Sequence, residues 1–207
     1  MKYKKIGENM NEETKTVYSF GAMMSRMKYI KRWPLMRNAT RENISEHSLE
    51  VAMVAHLLGV IGKTRFGKDL NVEKIALIAI YHDSTEIITG DMPTPIKYYN
   101  EDIQSAFKEI EEVAANNLLM MLPEDIRSEY QSLFFPEEQD EYLWKLVKAA
   151  DKISALLKCV EEEKAGNTEF VNAKKATLEA IQKMQLEEVD VFFEQFYPAY
   201  EKTLDEL

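Results

Sequence analysis

Three separate segments place residues that can bind a metal where the sequence pattern predicts a buried face. His47 lies four residues before Val51 on a helical stripe, His82 and Asp83 close a segment with six consecutive apolar residues, and Asp151 lies on the apolar stripe of a third segment. A buried carboxylate is costly unless it is paired, hydrogen-bonded or bound to a metal. Two imidazole nitrogens and two carboxylate oxygens form a ligand set suited to a divalent transition metal, with water in the open positions.

Each of these residues alone has an ordinary structural explanation. A buried histidine is often hydrogen-bonded in a core, and an aspartate that faces the core often caps a helix or forms a salt bridge. The combination of all four favours the metal site, because buried polar groups without partners are rare. His56 lies nine residues after His47, on the opposite helical face, and is expected to have only a structural role.

Glu86 is a candidate general acid or base. On a continuous helix it would fall roughly 40° from His82 and 60° from Asp83 around the axis, one turn beyond the ligands. From there its carboxylate could reach a water at the metal without binding the metal itself. The alternative is a solvated glutamate near a helix end.

Two further segments could bind a substrate. Arg32 precedes Trp33 at a predicted helix end, where arginine can clamp a phosphate and the indole offers a flat wall to a sugar or base. Asp91 and Thr94 lie in a proline-punctuated loop over residues 90–97, where they could bond hydroxyl groups. The alternatives are an ordinary surface pair and a rigid connector.

Composition limits the classes of function. A chain of 207 residues is expected to form one domain, and a formal net charge of −10 argues against nucleic-acid polymers as partners. Residues 1–16 lack the apolar core of a signal peptide, and no apolar run approaches the roughly 18 residues that span a membrane. The single cysteine, Cys159, is compatible with a reducing compartment and is expected to be structural. We therefore expect a soluble, cytoplasmic protein without membrane partners.

The periodicity predicts an all-α fold, a compact helical bundle without strand–helix alternation. Ser45 is expected to cap a helix that reaches residue 63, Asn71 is expected to cap a central buried helix, and Pro123 is expected to begin another helix. The remaining predicted helices cover residues 20–31, 101–122, 137–164, 168–184 and 186–204.

The order and spacing of His47, His82-Asp83 and Asp151 match the H…HD…D signature of HD-domain metal phosphohydrolases. Longer motifs resemble the bacterial YfbR-like 5′-deoxynucleotidases: IKRWPLMRN at 30–38, NISEHSL at 43–49, YHD at 81–83 with Glu86, and GDMPTPIKY at 90–98. The resemblance runs from about residue 18 to the C-terminus. It implies a single HD-type domain over residues 18–207 and an N-terminal extension over residues 1–17.

This resemblance implies a homodimer that hydrolyses 2′-deoxynucleoside 5′-monophosphates to deoxynucleoside and phosphate. It implies one divalent metal ion, manganese, cobalt or another first-row transition metal, held by His47, His82, Asp83 and Asp151. It also implies that Glu86 handles the proton of the attacking water, Arg32 orients the phosphate and Trp33 lines the sugar pocket. The residues expected to contact the nucleotide are Arg32, Trp33, His47, Asp83, Asp91, Met92, Pro93, Thr94 and Asp151.

Two alternatives stay open at this point. The first is another HD-domain hydrolase, acting on a deoxynucleoside triphosphate, a cyclic nucleotide or a guanosine tetraphosphate alarmone. The second is a non-catalytic helical module that binds a nucleotide and keeps a structural metal. A structural site usually has all four positions filled by protein, and it would leave Glu86 and Arg32 without a purpose.

Overall fold

The computed structural model describes residues 16–97 and 99–207, and this part of the chain is all-α, as the periodicity predicts. Its only β-type pairing is one antiparallel bridge between Lys31 and Asn43. The α-helices are α1 (Phe20–Met24), α2 (Ile44–Arg65), α3 (Val72–Tyr81), α4 (Glu86–Thr89), α5 (Thr94–Lys97), α6 (Glu101–Leu119), α7 (Glu124–Phe134), α8 (Glu141–Lys164), α9 (Val171–Gln182), α10 (Glu187–Gln195) and α11 (Tyr197–Tyr200). Short 3₁₀ turns occur at Met27–Tyr29, Glu138–Asp140, Thr168–Phe170 and Leu204–Glu206.

The core is built around α2, which packs against α3, α8 and α10. Val51, Leu58, Ile75 and Ile153 are fully buried in one apolar cluster. At Gly59 an added Cβ would lie 2.7 Å from Ile75 Cδ1, so the missing side chain lets α3 approach α2 closely. The helix that carries His47 (α2) and the helix that precedes His82 (α3) are thereby held against each other.

By length and composition alone, α2 could also cross a membrane, contrary to the expectation that no apolar run approaches that length. More than half of its apolar stretch is buried inside the protein, as in the core helix of many soluble folds. The helix therefore serves here as the centre of the bundle.

The expectation that α3 is buried on every side is wrong. Ile75, Ile78 and Ala79 are buried, but Leu77 and Ile80 are 45% and 39% exposed. An apolar run does not distinguish a helix inside the bundle from one on its surface, because exposed apolar residues are common on proteins. The central position belongs to α2.

The predicted first helix over residues 20–31 breaks after Met24. The Ser25 hydroxyl donates to the Gly21 carbonyl oxygen at 3.0 Å, a side-chain bond that competes with continued helix. The predicted loop over residues 90–97 contains the short helix α5, and the predicted helix over 186–204 is divided into α10 and α11. The other predicted helices agree with α6, α7, α8 and α9 within a few residues.

The cap of α2 is Asn43, and the expectation for Ser45 is wrong. Asn43 Oδ1 accepts from the backbone N–H groups of Ser45 and Glu46 at 3.0 and 3.1 Å, and Glu46 Oε2 accepts from the Asn43 N–H at 3.2 Å. This reciprocal capping box fixes the first turn of α2, which carries His47. At the start of α3, Asn71 caps the helix as predicted, accepting from the Lys74 N–H at 2.9 Å.

We predict that Asn43→Ala lowers the free energy of unfolding by ~1 kcal/mol, because two N–H groups lose their acceptor. Urea denaturation measures the change. Ser45→Ala is the matched control, since its exposed side chain caps nothing, and its effect should stay within about 0.5 kcal/mol. A larger loss from Ser45→Ala than from Asn43→Ala would contradict this description of the cap.

Candidate metal centre

The four predicted ligands come together where three helices meet. His47 projects from the first turn of α2, Asp151 from the middle of α8, and His82 and Asp83 from the turn after α3. One ligand atom from each of the four lies within 4.8 Å of the others. His47 Nε2 lies 3.1 Å from Asp151 Oδ1 and 3.4 Å from Asp83 Oδ2, and His82 Nε2 lies 3.3 Å from the same Asp83 oxygen. The cluster can hold a divalent ion.

The hydrogen bond of the His82 ring favours the tautomer that can bind a metal. Its Nδ1 lies 2.7 Å from the Ala79 carbonyl oxygen, so Nδ1–H donates and the lone pair of neutral imidazole is on Nε2. The Nε2 atom is buried and has no hydrogen-bond partner of acceptable geometry among the described residues. A buried polar atom of this kind needs an explanation, and a metal ion on Nε2 supplies it.

His47 has two possible partners at Nδ1, and they require different tautomers. Ser154 Oγ lies 3.0 Å from this nitrogen, while the Ser154 hydroxyl donates its own proton to Glu50 Oε2. Ser154 is therefore able to accept from His47 Nδ1–H, which leaves the lone pair on Nε2 for a metal. Arg32 Nη1 lies 2.8 Å from the same Nδ1 and can donate there only in the other tautomer. A metal on His47 Nε2 would therefore exclude the hydrogen bond from Arg32 to His47 Nδ1, because Nδ1 would then carry the proton.

Without a bound metal, the cluster compensates its negative charge with protons. Burial raises the pKa of Asp83, but His82 and His47 lower it more, so that it lies well below the ordinary value. Burial lowers the pKa of His82, but the carboxylates of Asp83 and Asp151 raise it, to about 9. A metal ion held by His82 would have to replace this proton at neutral pH, so its binding would strengthen as pH rises toward 9.

Glu86 is close to the cluster, although not on the helix that the sequence predicted. The chain leaves the helical path after Tyr81, and Glu86 begins α4. Burial and the charges of Asp83 and Asp91 raise the pKa of Glu86 to about 10. Its Oε2 is buried and has no hydrogen-bond partner among the described residues. This carboxyl group is therefore protonated at neutral pH.

Arg32 lies at the rim of the cluster. Its Nη1 donates to Glu42 Oε2 at 2.9 Å, and its Nη2 lies 4.0 Å from Asp151 Oδ1. The bridge between Lys31 and Asn43 fixes the adjacent backbone at the start of α2. The guanidinium group is thereby held beside the ligands, where it can bind an anionic group.

The segment between Trp33 and Asn43 is anchored to α8. Glu162 Oε2 and Oε1 accept from the N–H groups of Ala39 and Thr40 at 2.8 and 3.2 Å, and Lys158 binds both Glu162 and the Thr40 carbonyl oxygen. Burial raises the pKa of Glu162, but these donors lower it to about 2. The loop that carries Arg32 is therefore attached to the helix that carries Asp151.

Trp33 has an unusual backbone conformation that its neighbours stabilise. Its φ angle is 57°, in the left-handed region, and its N–H donates to Asp91 Oδ2 at 3.1 Å. Its indole N–H donates to Glu42 at 3.3 Å, and its ring packs edge-on against Phe170 at 5.2 Å. These contacts connect Trp33 to the loop that contains Asp91.

The predicted substrate residues line one cavity of about 610 Å³ beside Arg32. Its walls include Arg32, Trp33, Asp91, Met92, Pro93 and Thr94. The volume is in the range of small-molecule sites, roughly 300–1,000 Å³. The structure thus brings together every substrate residue that the sequence indicated outside the ligand cluster.

Two expectations about residues outside the site agree with the structure. His56 is exposed on the far side of α2, and Cys159 is buried, where burial raises its pKa to about 11. Three partners of site residues were not predicted from the sequence: Glu42, Glu50 and Ser154. Ser154 and Glu50 each follow a ligand by three residues, and this spacing was the only signal that could have indicated them.

Comparisons with known proteins agree with this geometry. A family model described as 5′-deoxynucleotidase YfbR-like matches residues 19–200. The 5′-deoxynucleotidase of Erwinia tasmaniensis is 49% identical over 188 residues, which cover 91% of this chain and 95% of that protein.

Two solved structures show the same all-α HD-domain fold. An HD-domain phosphohydrolase of Listeria innocua is 23% identical, with a TM-score of 0.77 over 88% of both chains. The HD phosphohydrolase DatZ of cyanophage S-2L, bound to dA and one catalytic Zn²⁺ ion, is 22% identical, with a TM-score of 0.62 over 88% of this chain and 96% of that chain. The likeness extends over most of each chain.

We predict that Ser154→Ala weakens metal binding about tenfold, because His47 loses the acceptor that favours its metal-binding tautomer. Competition with a chromogenic chelator measures the affinity for Zn²⁺ or Mn²⁺. Ser48→Ala is the matched control, since the Ser48 hydroxyl is buried beside His47 but bonds no described residue. Equal affinities in the two variants would show that Ser154 does not position His47.

Proposed function

The chain belongs to the YfbR-like 5′-deoxynucleotidase family, and from this membership we propose how its residues hydrolyse 2′-deoxynucleoside 5′-monophosphates to deoxynucleoside and phosphate. The observation that carries the proposal is the convergence of a four-ligand cluster, the Glu86 carboxyl group that interacts with Asp83, and the Arg32 guanidinium beside Asp151, which also lines the cavity. Those groups supply metal binding, proton transfer and anion binding in one place.

The residues that would hold the ion are His47, His82, Asp83 and Asp151. When bound, a divalent metal polarises a phosphate oxygen and lowers the pKa of water in its open positions. We propose one first-row ion per chain, such as manganese or cobalt, because mixed imidazole and carboxylate ligands accommodate several of these ions. The single catalytic Zn²⁺ ion of the cyanophage enzyme supports the count.

Arg32 binds the phosphate and stabilises the negative charge that spreads over its oxygens as the ester bond breaks. Glu42 accepts one donor of the guanidinium and holds its orientation. In the metal-binding tautomer of His47, Arg32 no longer donates to that ring, so its donors are available to the phosphate. We also propose that the substrate and the phosphate product contact His47, Asp83 and Asp151, as the family resemblance implies.

Glu86 accepts a proton from the attacking water and returns it to the 5′ oxygen of the departing nucleoside. The ionised form needed for the first step is disfavoured by burial and by the charges of Asp83 and Asp91. A divalent ion held by the four ligands would offset the charge of Asp83 and so favour the ionised form of Glu86. Occupation of the cluster and proton transfer are therefore coupled.

Trp33 selects the sugar. Its ring is fixed by Phe170 and its backbone by Asp91, so it cannot easily move away from an added hydroxyl group. A 2′-hydroxyl group against this wall would lose hydration without gaining a partner, which disfavours ribonucleotides. Met92, Pro93 and Thr94 also line the cavity.

We also propose that residues 18–207 form the catalytic domain and residues 1–17 an extension, of which residues 1–15 lie outside the described part of the chain. The match of the family model from residue 19 supports this division. We propose a cytoplasmic homodimer that acts on free nucleotides, without nucleic-acid polymers or membranes as partners. The net charge of −10 and the buried single cysteine support the substrate class and the compartment, and the dimer rests on the family resemblance.

The substrate class is tested by phosphate release from deoxy- and ribonucleoside 5′-monophosphates. The protein is first freed of metal with a chelator, and one kind of metal ion is then added back at a time. We predict metal-dependent release from the deoxy series, at least tenfold slower release from the ribo series, and a smaller difference in Trp33→Ala. Release of pyrophosphate or triphosphate from other nucleotides, with none from monophosphates, would identify a different HD-domain reaction. Equal rates for the two series in the unaltered protein would remove the role of Trp33.

We predict that Glu86→Gln lowers kcat about 10²- to 10⁴-fold and leaves metal content unchanged, because the side chain transfers a proton but does not bind the ion. Steady-state kinetics and metal content are measured on the same preparation. Glu73→Gln makes the same change at an exposed first-turn glutamate of α3 and serves as the control. A fully active Glu86→Gln protein would exclude Glu86 as the proton-transfer group.

A further inference from the structure

A second cavity adjoins the one that we assign to the substrate. It has a volume of about 370 Å³, and the residues that it shares with the substrate cavity are Arg32, Trp33, Pro34 and Met36. Its other lining residues are Lys31, Arg37, Asn38, Arg41 and Glu42. Most of this lining has no part in the reaction described above.

Three cations of this lining are free to bind an anion. The side chains of Lys31, Arg37 and Arg41 are exposed and form no ion pair or hydrogen bond with any residue that the structure describes. The one carboxylate of the lining, Glu42, already accepts from Arg32 at 2.9 Å. A protein with a formal net charge of −10 therefore gathers four cations and a single carboxylate around one small cavity.

We propose that this cavity binds the phosphate chain of a polyphosphate, such as that of a nucleoside triphosphate, and that its occupation weakens substrate binding. Each phosphate of a chain adds negative charge and acceptor oxygens, so a chain can engage several cations at once. The volume is in the range of small-molecule sites, roughly 300–1,000 Å³. The site itself goes beyond the proposed function, and only its effect on the substrate rests on that function.

The surroundings of the cavity favour a compact anion over a polymer. Arg41 also lines a neighbouring cavity, whose walls include the carboxylates of Glu46, Glu50 and Glu161. These negative charges end the positive region beside Arg41. Nucleic acid depends on a broad positive surface, which is absent from this side of Arg41. The ligand is therefore confined to the cations of the one cavity.

The backbone that carries these cations is held in one conformation. Asn38 Nδ2 donates to the carbonyl oxygens of Trp33 and Met36 at 3.2 and 2.8 Å, which closes the turn between them. Asn167 Nδ2 donates to the carbonyl oxygen of Arg37 at 2.7 Å. An anion that binds here has less backbone to order than it would have on a flexible loop, which favours binding.

The two cavities are coupled through Arg32, which lines both. We assign the substrate phosphate to this guanidinium group. A negative chain in the second cavity repels that phosphate and attracts the guanidinium away from it. By linkage, the substrate weakens binding of the polyphosphate by the same factor. A polyphosphate should therefore inhibit without binding at the metal centre.

Isothermal titration calorimetry with inorganic tripolyphosphate and with deoxyadenosine triphosphate tests the site. The full chain is first freed of metal with a chelator and dialysed, so that no ion binds the phosphates. We expect one equivalent to bind per chain, and binding at least tenfold weaker in the double variant Arg37→Gln/Arg41→Gln, which loses two charged donors. Similar affinities for the two probes would identify the bare phosphate chain as the ligand, and tighter binding of deoxyadenosine triphosphate would identify a nucleoside triphosphate; both results support the site.

The double variant Lys63→Gln/Lys183→Gln is the matched control. It removes the same charge from two exposed lysines that line neither cavity, and it should bind both probes as the unaltered protein does. An unchanged affinity in Arg37→Gln/Arg41→Gln would overturn the site. An equal loss of affinity in the two double variants would also overturn it, because it would show only a general effect of net charge.

Steady-state kinetics at a buffered concentration of free metal ion tests the coupling. We predict that deoxyadenosine triphosphate raises KM for deoxyadenosine 5′-monophosphate about fivefold and then has no further effect. Arg37→Gln/Arg41→Gln should keep the kcat and KM of the unaltered protein and lose this inhibition. Equal inhibition of both proteins would place the inhibitor in the substrate cavity and contradict the coupling. If the unaltered enzyme releases no phosphate from any deoxynucleotide, the proposed function fails, whereas the calorimetry still decides whether the site exists.

Discussion

Two carboxylates, Asp83 and Asp151, lie within hydrogen-bonding distance of one imidazole, and their negative charge must be compensated. Without a metal the compensation comes from a proton on His82 and from the Arg32 guanidinium. Burial disfavours both positive charges, but the neighbouring carboxylates raise the pKa of both groups. A divalent ion held by the four ligands would compensate both carboxylates at once and would replace the proton on His82. Its positive charge would also favour the ionised form of Glu86 and the His47 tautomer that leaves Arg32 free to bind phosphate. Metal binding, proton transfer and phosphate binding therefore all depend on how the negative charge of Asp83 and Asp151 is compensated.

The rest of the fold holds these charges at fixed separations. Gly59 lets the helices of His47 and His82 pack closely, and the Asn43 cap fixes the first turn of α2. Glu162 attaches the Arg32 loop to the helix of Asp151, and Asp91 ties its own loop to Trp33. An acidic protein can therefore bind an anionic substrate through a few positioned donors and an ion, without a broad positive surface.

Much of the site could be predicted from the sequence, because helical periodicity places His47 and Asp151 on buried faces and the motifs identify their family. Local geometry could not be predicted. The chain departs from the helix after Tyr81, so Glu86 reaches the site from its own short helix. The hydrogen bonds of Ser154 and Glu50 join α2 to α8 and depend on their packing.

The central claim is that one metal ion in this cluster activates phosphate release. Its most direct test is a titration of chelated protein with Mn²⁺ or Co²⁺ that follows bound metal and hydrolysis of deoxyadenosine 5′-monophosphate together. The predicted result is a rate that rises in proportion to bound metal and stops rising at one equivalent per chain. Full activity after chelation, or one equivalent of tightly bound metal without phosphate release, would contradict the claim.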